Sequence, residues 1–160
     1  MVTKRLSFLF LSTFLFLNSF NLSAQNNAFS DFKNNDKYPA FNAELIISIK
    51  NDSIAAYAFI ANGKKPKETV ILLHGLPGND NQHDIAQSLR RSGRNVIYFN
   101  YRGSWGSKGV FSYANSLEDV DELINYLSKE EMQKKLRIKP CTFVRLGRSY
   151  GGGIASIKGS

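Results

Sequence analysis

The chain has 160 residues, of which 42% are hydrophobic and 21% charged, and its formal net charge is +8. The length suits one ordinary domain, and the composition is that of a folded globular protein, which excludes a disordered chain. Basic residues are interleaved with acidic ones and do not alternate with aromatic residues along one face, so we expect no nucleic-acid partner.

The first 24 residues have the three parts of a secretory signal peptide. Lys4 and Arg5 precede a mostly apolar run over 6–17, and Ala24 provides a small residue before the predicted cleavage point. A bilayer takes about 20 apolar residues to cross, so we expect no stable membrane anchor after cleavage. These features predict export, either to the periplasm or out of the cell.

A flexible lead-in is predicted over 25–42, which is rich in Asn, Asp and Lys and has little periodicity. The predicted domain covers 43–160. It opens with two β-rich runs, 44–50 and 54–60, on either side of Asn51-Asp52-Ser53, and this pattern predicts a hairpin.

The rest of the domain alternates between predicted strands and predicted helices. Short apolar runs over 69–73, 96–99 and 141–146 predict strands of a buried sheet. Helices are predicted over 80–91, from an N-cap at Ser116, and from Gly152 onward. Asp119 and Asp121 are interpreted as first-turn acidic residues of the second helix, whose apolar stripe is Leu117, Val120, Leu123, Ile124 and Leu127. The alternation predicts an α/β fold with a mostly parallel sheet and helices on both faces.

A Gly-x-Ser-x-Gly pattern runs from Gly147 to Gly151 and lies between a predicted strand and a predicted helix. In that context the pattern predicts a tight turn that lifts the hydroxyl of Ser149 above the sheet as a nucleophile. Gly147 and Gly151 are required because a side chain at either position would collide with the neighbouring strand or helix.

A second glycine-containing segment, His74-Gly75-Leu76-Pro77-Gly78, directly follows a predicted buried strand. An attacking serine creates an oxyanion that needs two preorganised N–H donors. We assign these donors as the amides of Leu76 and Tyr150, with Gly75 and Gly78 shaping the loop and His74 holding it by hydrogen bonds. The alternative is a loop shaped only for packing.

These motifs together resemble the α/β-hydrolase superfamily, and most closely the prolyl oligopeptidase, serine aminopeptidase and dienelactone hydrolase groups. The resemblance rests on 74–78, on Tyr101-Arg102-Gly103-Ser104-Trp105-Gly106-Ser107, and on 147–152. It implies a serine hydrolase that forms an acyl-enzyme on Ser149 with an ester or peptide substrate. Arg148 stands where relatives often have His, which affects only the rim of the site.

The family resemblance implies a triad acid and then a histidine downstream of the serine. Residues 150–160 contain no Asp, Glu or His. The chain is therefore interpreted as the N-terminal portion of a hydrolase domain, incomplete at its C-terminus and inactive on its own. His74 and His83 precede the serine, and His83 is interpreted as a solvated surface residue.

Two other readings stay open. The spacing of Gly147, Gly151 and Gly153 also fits an NAD(P)-binding short-chain dehydrogenase, although that fingerprint normally follows the first strand. A hydrolase-like protein that only binds a ligand is the other. No cluster of His, Cys and carboxylates has metal-ligand spacing, so no metal or other cofactor is implied, and the oligomeric state is left open.

Overall fold

The computed structural model of the chain describes residues 37–76 and 82–158. The predicted signal peptide, the lead-in up to residue 36 and Gly78 lie outside these residues. The described elements are, in chain order, β1 (Phe41–Ile49), β2 (Asp52–Ile60), β3 (Lys67–Leu73), α1 (His83–Arg91), β4 (Asn95–Phe99), α2 (Tyr113–Leu127), α3 (Glu130–Lys135), β5 (Ile138–Gly147) and α4 (Tyr150–Lys158).

The strands form one mixed sheet in the order β1-β2-β4-β3-β5. The last three strands of that order are parallel, and Val70 of β3 lies beside both Val96 of β4 and Val144 of β5. β1 and β2 form an antiparallel hairpin, and β2 also pairs antiparallel with β4. The predicted α/β architecture is confirmed, with the hairpin as the antiparallel part of the sheet.

The hairpin turn lies one residue earlier than predicted. Ile49 pairs with Asp52, so the two residues between them, Lys50 and Asn51, make the turn. Lys50 has a φ of 53°, in the left-handed region that short connections between antiparallel strands use. Ser53, predicted in the turn, is already paired with Ser48.

Helices cover both faces of the sheet because alternate residues of a strand point to opposite sides. On one face Val70, Val96 and Tyr98 pack with Ala86 of α1. On the other, Ile71 and other strand residues form the larger core with α2, α3 and α4. The predicted stripe of α2 faces that core, with Val120, Leu123 and Leu127 fully buried.

The start of α2 differs from the prediction. Ser112 is the N-cap, and its hydroxyl accepts a hydrogen bond from the backbone N–H of Asn115 at 3.1 Å. Ser116 lies inside the helix, where its hydroxyl donates to the carbonyl of Ser112 at 2.9 Å. Both serines are of a residue type that favours the N-cap position, and the helix starts at the first of them.

β5 begins at Ile138, three residues before the prediction, and its pairing with β3 contains an irregularity between Lys67 and Thr69. Among the described residues β5 pairs with β3 alone, and Val144 and Leu146 are 44% and 43% exposed. No helix in 37–76 or 82–158 is long and apolar enough to cross a membrane.

Candidate active site

The candidate active site lies at one edge of the sheet. β3, β4 and β5 are parallel, so the segments that follow them, 74–76, 100–112 and 148–149, meet where the strands end. The antiparallel β2 starts at this same edge, and the backbone N–H of Lys108 donates to the carbonyl of Ser53 there at 2.8 Å. The fold thus gathers the motifs that the sequence separates by more than 70 residues.

Ser149 occupies a strained turn between β5 and α4. Its φ is 52°, a left-handed backbone conformation that is uncommon outside glycine, and its side chain is exposed. α4 starts at the next residue, Tyr150, two residues before the prediction. The backbone N–H groups of Gly152 and Gly153 donate to the Ser149 carbonyl at 2.9 and 3.2 Å, so the helix begins immediately behind the serine.

Glycine is required at two positions of this turn. A Cβ built on Gly147 would lie 2.1 Å from the Gly151 carbonyl oxygen, and one on Gly151 would lie 2.0 Å from the Leu73 carbonyl oxygen. These atoms are backbone, which cannot move aside as the end of a flexible side chain can. The close approach seats the start of α4 against the end of β3, and the N–H of Arg148 donates to the same Leu73 carbonyl at 3.3 Å.

Replacement of Gly151 by alanine is therefore expected to lower the free energy of unfolding by about 1–3 kcal/mol through overpacking. Gly153, on the same helix, is the matched control because an added Cβ meets nothing within 4 Å. Gly153→Ala is expected to raise the free energy of unfolding by about 0.5–1 kcal/mol, since alanine loses less chain entropy in a helix. Urea denaturation of the full-length variants measures both, and equal effects of the two substitutions would contradict the close approach at Gly151.

The predicted oxyanion segment lies against the serine. A Cβ built on Gly75 would be 3.2 Å from the Cβ of Ser149 and 3.8 Å from its Oγ. Leu76 follows at once and is 50% exposed. The structure thus brings together four of the predicted site residues, Gly75, Leu76, Ser149 and Tyr150, at the ends of neighbouring strands.

His74 lies behind this segment and is fully buried. Its Nδ1 is 2.8 Å from the Gly75 carbonyl oxygen. Because a carbonyl can only accept, Nδ1 carries the hydrogen, and Nε2 is a buried atom with no partner among the described residues. Burial lowers the pKa of His74, and the hydrogen bond to Gly75 only partly opposes this, so the imidazole is neutral at neutral pH.

Tyr150 anchors the turn to α2 and to the loop before it. Its hydroxyl donates to Ser116 Oγ at 2.9 Å. Its ring packs on three aromatic rings, with centroid distances of 5.6 Å to Tyr101, 5.5 Å to Phe111 and 6.1 Å to Tyr113. The backbone next to Ser149 is therefore held from the side by an aromatic cluster.

Arg102 joins the 100–112 loop to α2 through two carboxylates, those of Glu118 and Asp119. Its Nε donates to Asp119 Oδ1 at 2.5 Å, and its backbone N–H donates to Oδ2 at 2.8 Å. Its Nη2 donates to Glu118 at 2.5 Å, and Lys50 of the hairpin turn approaches the other Glu118 oxygen, also at 2.5 Å. Lys50 and then Arg102 hold the pKa of Glu118 below its usual value.

The interpretation of Asp119 as a first-turn acidic residue is wrong. α2 begins at Tyr113, so Asp119 lies in the second turn, where it is fully buried. A signal was available, because Asp119 stands three residues after Ser116 and four before Leu123, on the buried side of the helix. Asp121, 49% exposed at its side chain, instead forms an ion pair with Lys158 of α4.

His83 is exposed on α1, where its ring packs against Phe59 at 5.6 Å and Tyr98 at 6.4 Å between centroids. In the part of the chain that the structure describes, no three His, Cys, Asp or Glu side chains are grouped to hold a metal ion.

Comparison with known proteins identifies the family. A sequence model of the alpha/beta hydrolase fold matches residues 68–157, more than half of the chain. The chain belongs to the α/β hydrolase fold family. The matched segment runs from β3 to α4 and includes both glycine-containing motifs. A dehydrogenase fingerprint normally follows the first strand of a sheet, whereas these glycines follow β5.

Curated relatives of this α/β hydrolase fold chain are longer proteins, and the chain matches only part of each. "Uncharacterized protein YfhR" of Escherichia coli (strain K12) is 34% identical over 85 residues, which are 52% of this chain and 28% of the relative. The protein of the same name from Salmonella typhimurium is 33% identical over 85 residues and is covered over 27% of its length. The chain thus spans less than a third of these curated relatives.

Solved structures share the fold at low sequence identity. EstE1, a thermophilic carboxylesterase cloned from a metagenomic library, superposes with a TM-score of 0.62 at 20% identity, over 75% of this chain and 41% of that protein. An alpha-beta serine hydrolase homologue from Coxiella burnetii gives 0.59 at 18% identity, over 81% and 59%. Brefeldin A esterase, a bacterial homologue of human hormone sensitive lipase, gives 0.59 at 16%, over 87% and 40%.

Proposed function

We propose that the chain carries the nucleophile and the oxyanion donors of a serine hydrolase that acts on an ester or a peptide. One observation carries the proposal: the segment after β3 lies beside an exposed serine in a left-handed turn, so close that a Cβ built on Gly75 would be 3.2 Å from the Cβ of Ser149. A nucleophile and a pair of backbone donors at one point are what acyl transfer requires.

The chemistry follows from the backbone around Ser149. Its Oγ attacks the acyl carbon, and the amides of Leu76 and Tyr150 stabilise the negative charge that develops on the acyl oxygen. Tyr150 is the first residue of α4, where an N–H has no acceptor within the helix and the helix dipole favours negative charge. The alcohol or amine leaves with a proton, and water then attacks the acyl-enzyme to release the acid and free Ser149.

We assign the general base and its acid partner to sequence outside these 160 residues. In α/β hydrolases both follow the serine in chain order. His74 is unsuited to the role, because it is fully buried and its Nδ1 is committed to the Gly75 carbonyl. The 160 residues alone would therefore have a serine of low nucleophilicity.

An ester is the substrate class that the comparisons favour. Of the three solved structures described above, two are named as esterases, a carboxylesterase and the brefeldin A esterase. Neither name specifies a substrate for this chain, and a peptide stays the second possibility.

A fluorophosphonate probe tests the proposal, because it reacts with a serine only when that serine is activated. The full-length protein is expected to be labelled, and Ser149→Ala is expected to lose the label. Ser156→Ala is the matched control, an exposed serine on the same helix that should leave labelling unchanged. No labelling, or labelling that survives Ser149→Ala, would contradict the proposal and favour a hydrolase-like protein that only binds a ligand.

A further inference from the structure

One end of the sheet, opposite the edge that carries Ser149, is strongly basic. The segments 37–41, 61–68 and 134–139 meet there, because β1, β3 and β5 all begin at this end. These segments contain eight Lys or Arg residues and one acidic residue, Glu68. The Ser149 edge lies about 20 Å away, the length of a seven-residue strand such as β3. The fold thus gathers basic residues that are far apart in the sequence.

Contacts between the segments hold the cations of this end side by side. The Nζ atoms of Lys37 and Lys64 lie 5.9 and 6.0 Å from the centre of the Tyr38 ring. Arg137 reaches the same strand from another segment, and its Nη2 donates to the Pro39 carbonyl at 2.7 Å. The positions of these charges are therefore set by the packing of the end and not by one flexible loop alone.

Lys67 lies in the middle of this group. Its backbone N–H donates to the Arg137 carbonyl at 2.8 Å, and its Nζ donates to the Lys65 carbonyl at 3.2 Å. Burial, followed by the charges of Arg137 and Lys65, lowers the pKa of Lys67. The like charges are therefore close enough to repel one another. We refer to five cations together as the basic end: Lys37, Lys64, Lys65, Lys67 and Arg137.

Little negative charge in the described residues offsets this repulsion. Glu68, the acidic residue of these segments, forms an ion pair with Arg94 at 2.8 Å. In 37–76 and 82–158 no carboxylate forms an ion pair with four members of the basic end, Lys64, Lys65, Lys67 and Arg137. Exposed cations that repel one another attract an anionic surface that approaches them.

An anionic bilayer fits the basic end better than a nucleic acid does. Single-stranded nucleic acids bind where bases can stack on aromatic faces. Here Lys37 and Lys64 approach the Tyr38 ring, and the guanidinium of Arg137 lies 5.1 Å from the centre of the Phe41 ring. Cations therefore occupy a face of each ring. Lys, Arg and Tyr side chains are also typical of the interface between membrane and water.

The N-terminal segment of the chain favours the same partner. Residue 37 is the first that the structure describes and belongs to the basic end, so residues 1–36 are joined to the fold at this end. That segment includes the apolar run over 6–17 of the predicted signal peptide. A signal peptide bound to a membrane would therefore hold the basic end, rather than the Ser149 edge, toward the lipid headgroups.

We propose that the basic end binds the surface of a bilayer that contains anionic phospholipids. The attraction is between the Lys and Arg side chains and the lipid phosphates, and it leaves the Ser149 edge turned toward water. Binding of this kind is reversible and needs no membrane anchor. It strengthens with the fraction of anionic lipid and weakens with salt, because dissolved ions screen exposed charges.

Vesicle sedimentation tests the proposal. The full-length protein, produced from Gln25 onward so that the apolar run cannot bind lipid, is mixed with vesicles of phosphatidylcholine or of phosphatidylcholine and phosphatidylglycerol in a two-to-one ratio. Each Lys or Arg near an anionic surface strengthens binding roughly fivefold, so the five cations are expected to give a preference of at least about a hundredfold for the anionic vesicles. Salt at about 1 M, where the Debye length is about 3 Å, should remove the preference.

Variants locate the binding surface. Lys65→Gln is expected to weaken binding to the anionic vesicles about fivefold, and the double variant Lys64→Gln, Lys65→Gln about 25-fold. Both side chains are exposed between β2 and β3, so folding should be retained. Lys108→Gln is the matched control. It removes the same charge from an exposed lysine of the 100–112 loop, at the Ser149 edge, and binding should change less than about twofold.

The outcomes separate this end from net charge and from another polyanion. Equal binding to both kinds of vesicle, or equal losses from Lys65→Gln and Lys108→Gln, overturns the inference, because net charge alone would explain the second result. Tighter binding to a single-stranded oligonucleotide than to the anionic vesicles, lost in the double variant, also overturns it and assigns the basic end to a nucleic acid. A salt-sensitive preference for the anionic vesicles that falls only with Lys64 and Lys65 supports it.

Discussion

Ser149→Ala is expected to lower kcat for ester hydrolysis by the full-length protein by roughly 10⁴ to 10⁶, the range found when a serine nucleophile is removed. The physical reason is that alanine has no side-chain oxygen that could form the acyl-enzyme. The turn that carries residue 149 depends on Gly147 and Gly151 and is therefore retained in the variant. Initial rates with 4-nitrophenyl hexanoate measure the loss, and KM is expected to stay close to that of the wild type.

A measurement of stability separates an effect on the chemistry from an effect on folding. The variant should retain the wild-type midpoint of urea denaturation, because the side chain of Ser149 is exposed and buries little surface. A loss of less than about tenfold in kcat at unchanged stability would mean that another residue attacks the ester, because a nucleophile's removal costs far more than that.

Asp119→Ala is expected to lower the free energy of unfolding of the full-length protein by about 3–5 kcal/mol, the cost of breaking a buried ion pair by removing one partner. Arg102 would remain charged although only 4% of its side chain is exposed to solvent. Its Nε and its backbone N–H would both lose the carboxylate oxygen that accepts from them. Because Arg102 joins the 100–112 loop to α2, and α2 in turn holds Tyr150 through Ser116, we also expect lower activity.

Asp121 offers a matched control on the same helix. Its carboxylate pairs with Lys158 at the surface, and exposed pairs contribute at most about 1 kcal/mol. Asp121→Ala should therefore have a small effect, and Asp119→Asn, which keeps an acceptor for Arg102, an intermediate one. Urea denaturation with an unchanged m-value gives all three numbers. Equal effects at the two positions would show that the Arg102–Asp119 pair does not stabilise the fold.

Much of the fold could be predicted from local patterns. The runs over 69–73 and 96–99 are short, apolar and without alternation, and both are strands buried on two faces. The stripe of α2 has helical spacing, and it faces the core. α3 was not predicted, because six mostly charged residues carry no apolar period.

The errors fall where two local signals compete. Ser112 and Ser116 are both good N-caps, and the chain between them could have been loop or helix. The charge of Asp119 suits a helix start, whereas its place in the helical period points to the core. A partner 17 residues earlier, Arg102, determines the outcome, and no short window of sequence contains both residues.

By itself the sequence determined the strands, most of the helices and the two glycine-containing motifs, because these depend on residues close together along the chain. It predicted that Ser149 stands in a tight turn, and steric exclusion at Gly147 and Gly151 explains why. Only the tertiary structure decided that the segment after β3 lies beside Ser149 and that Arg102 pairs with Asp119 and Glu118. Parallel strands that are far apart in the sequence can pair side by side, so that the segments after them meet at one edge of the sheet. A pattern in a short stretch of sequence does not show which strands will pair.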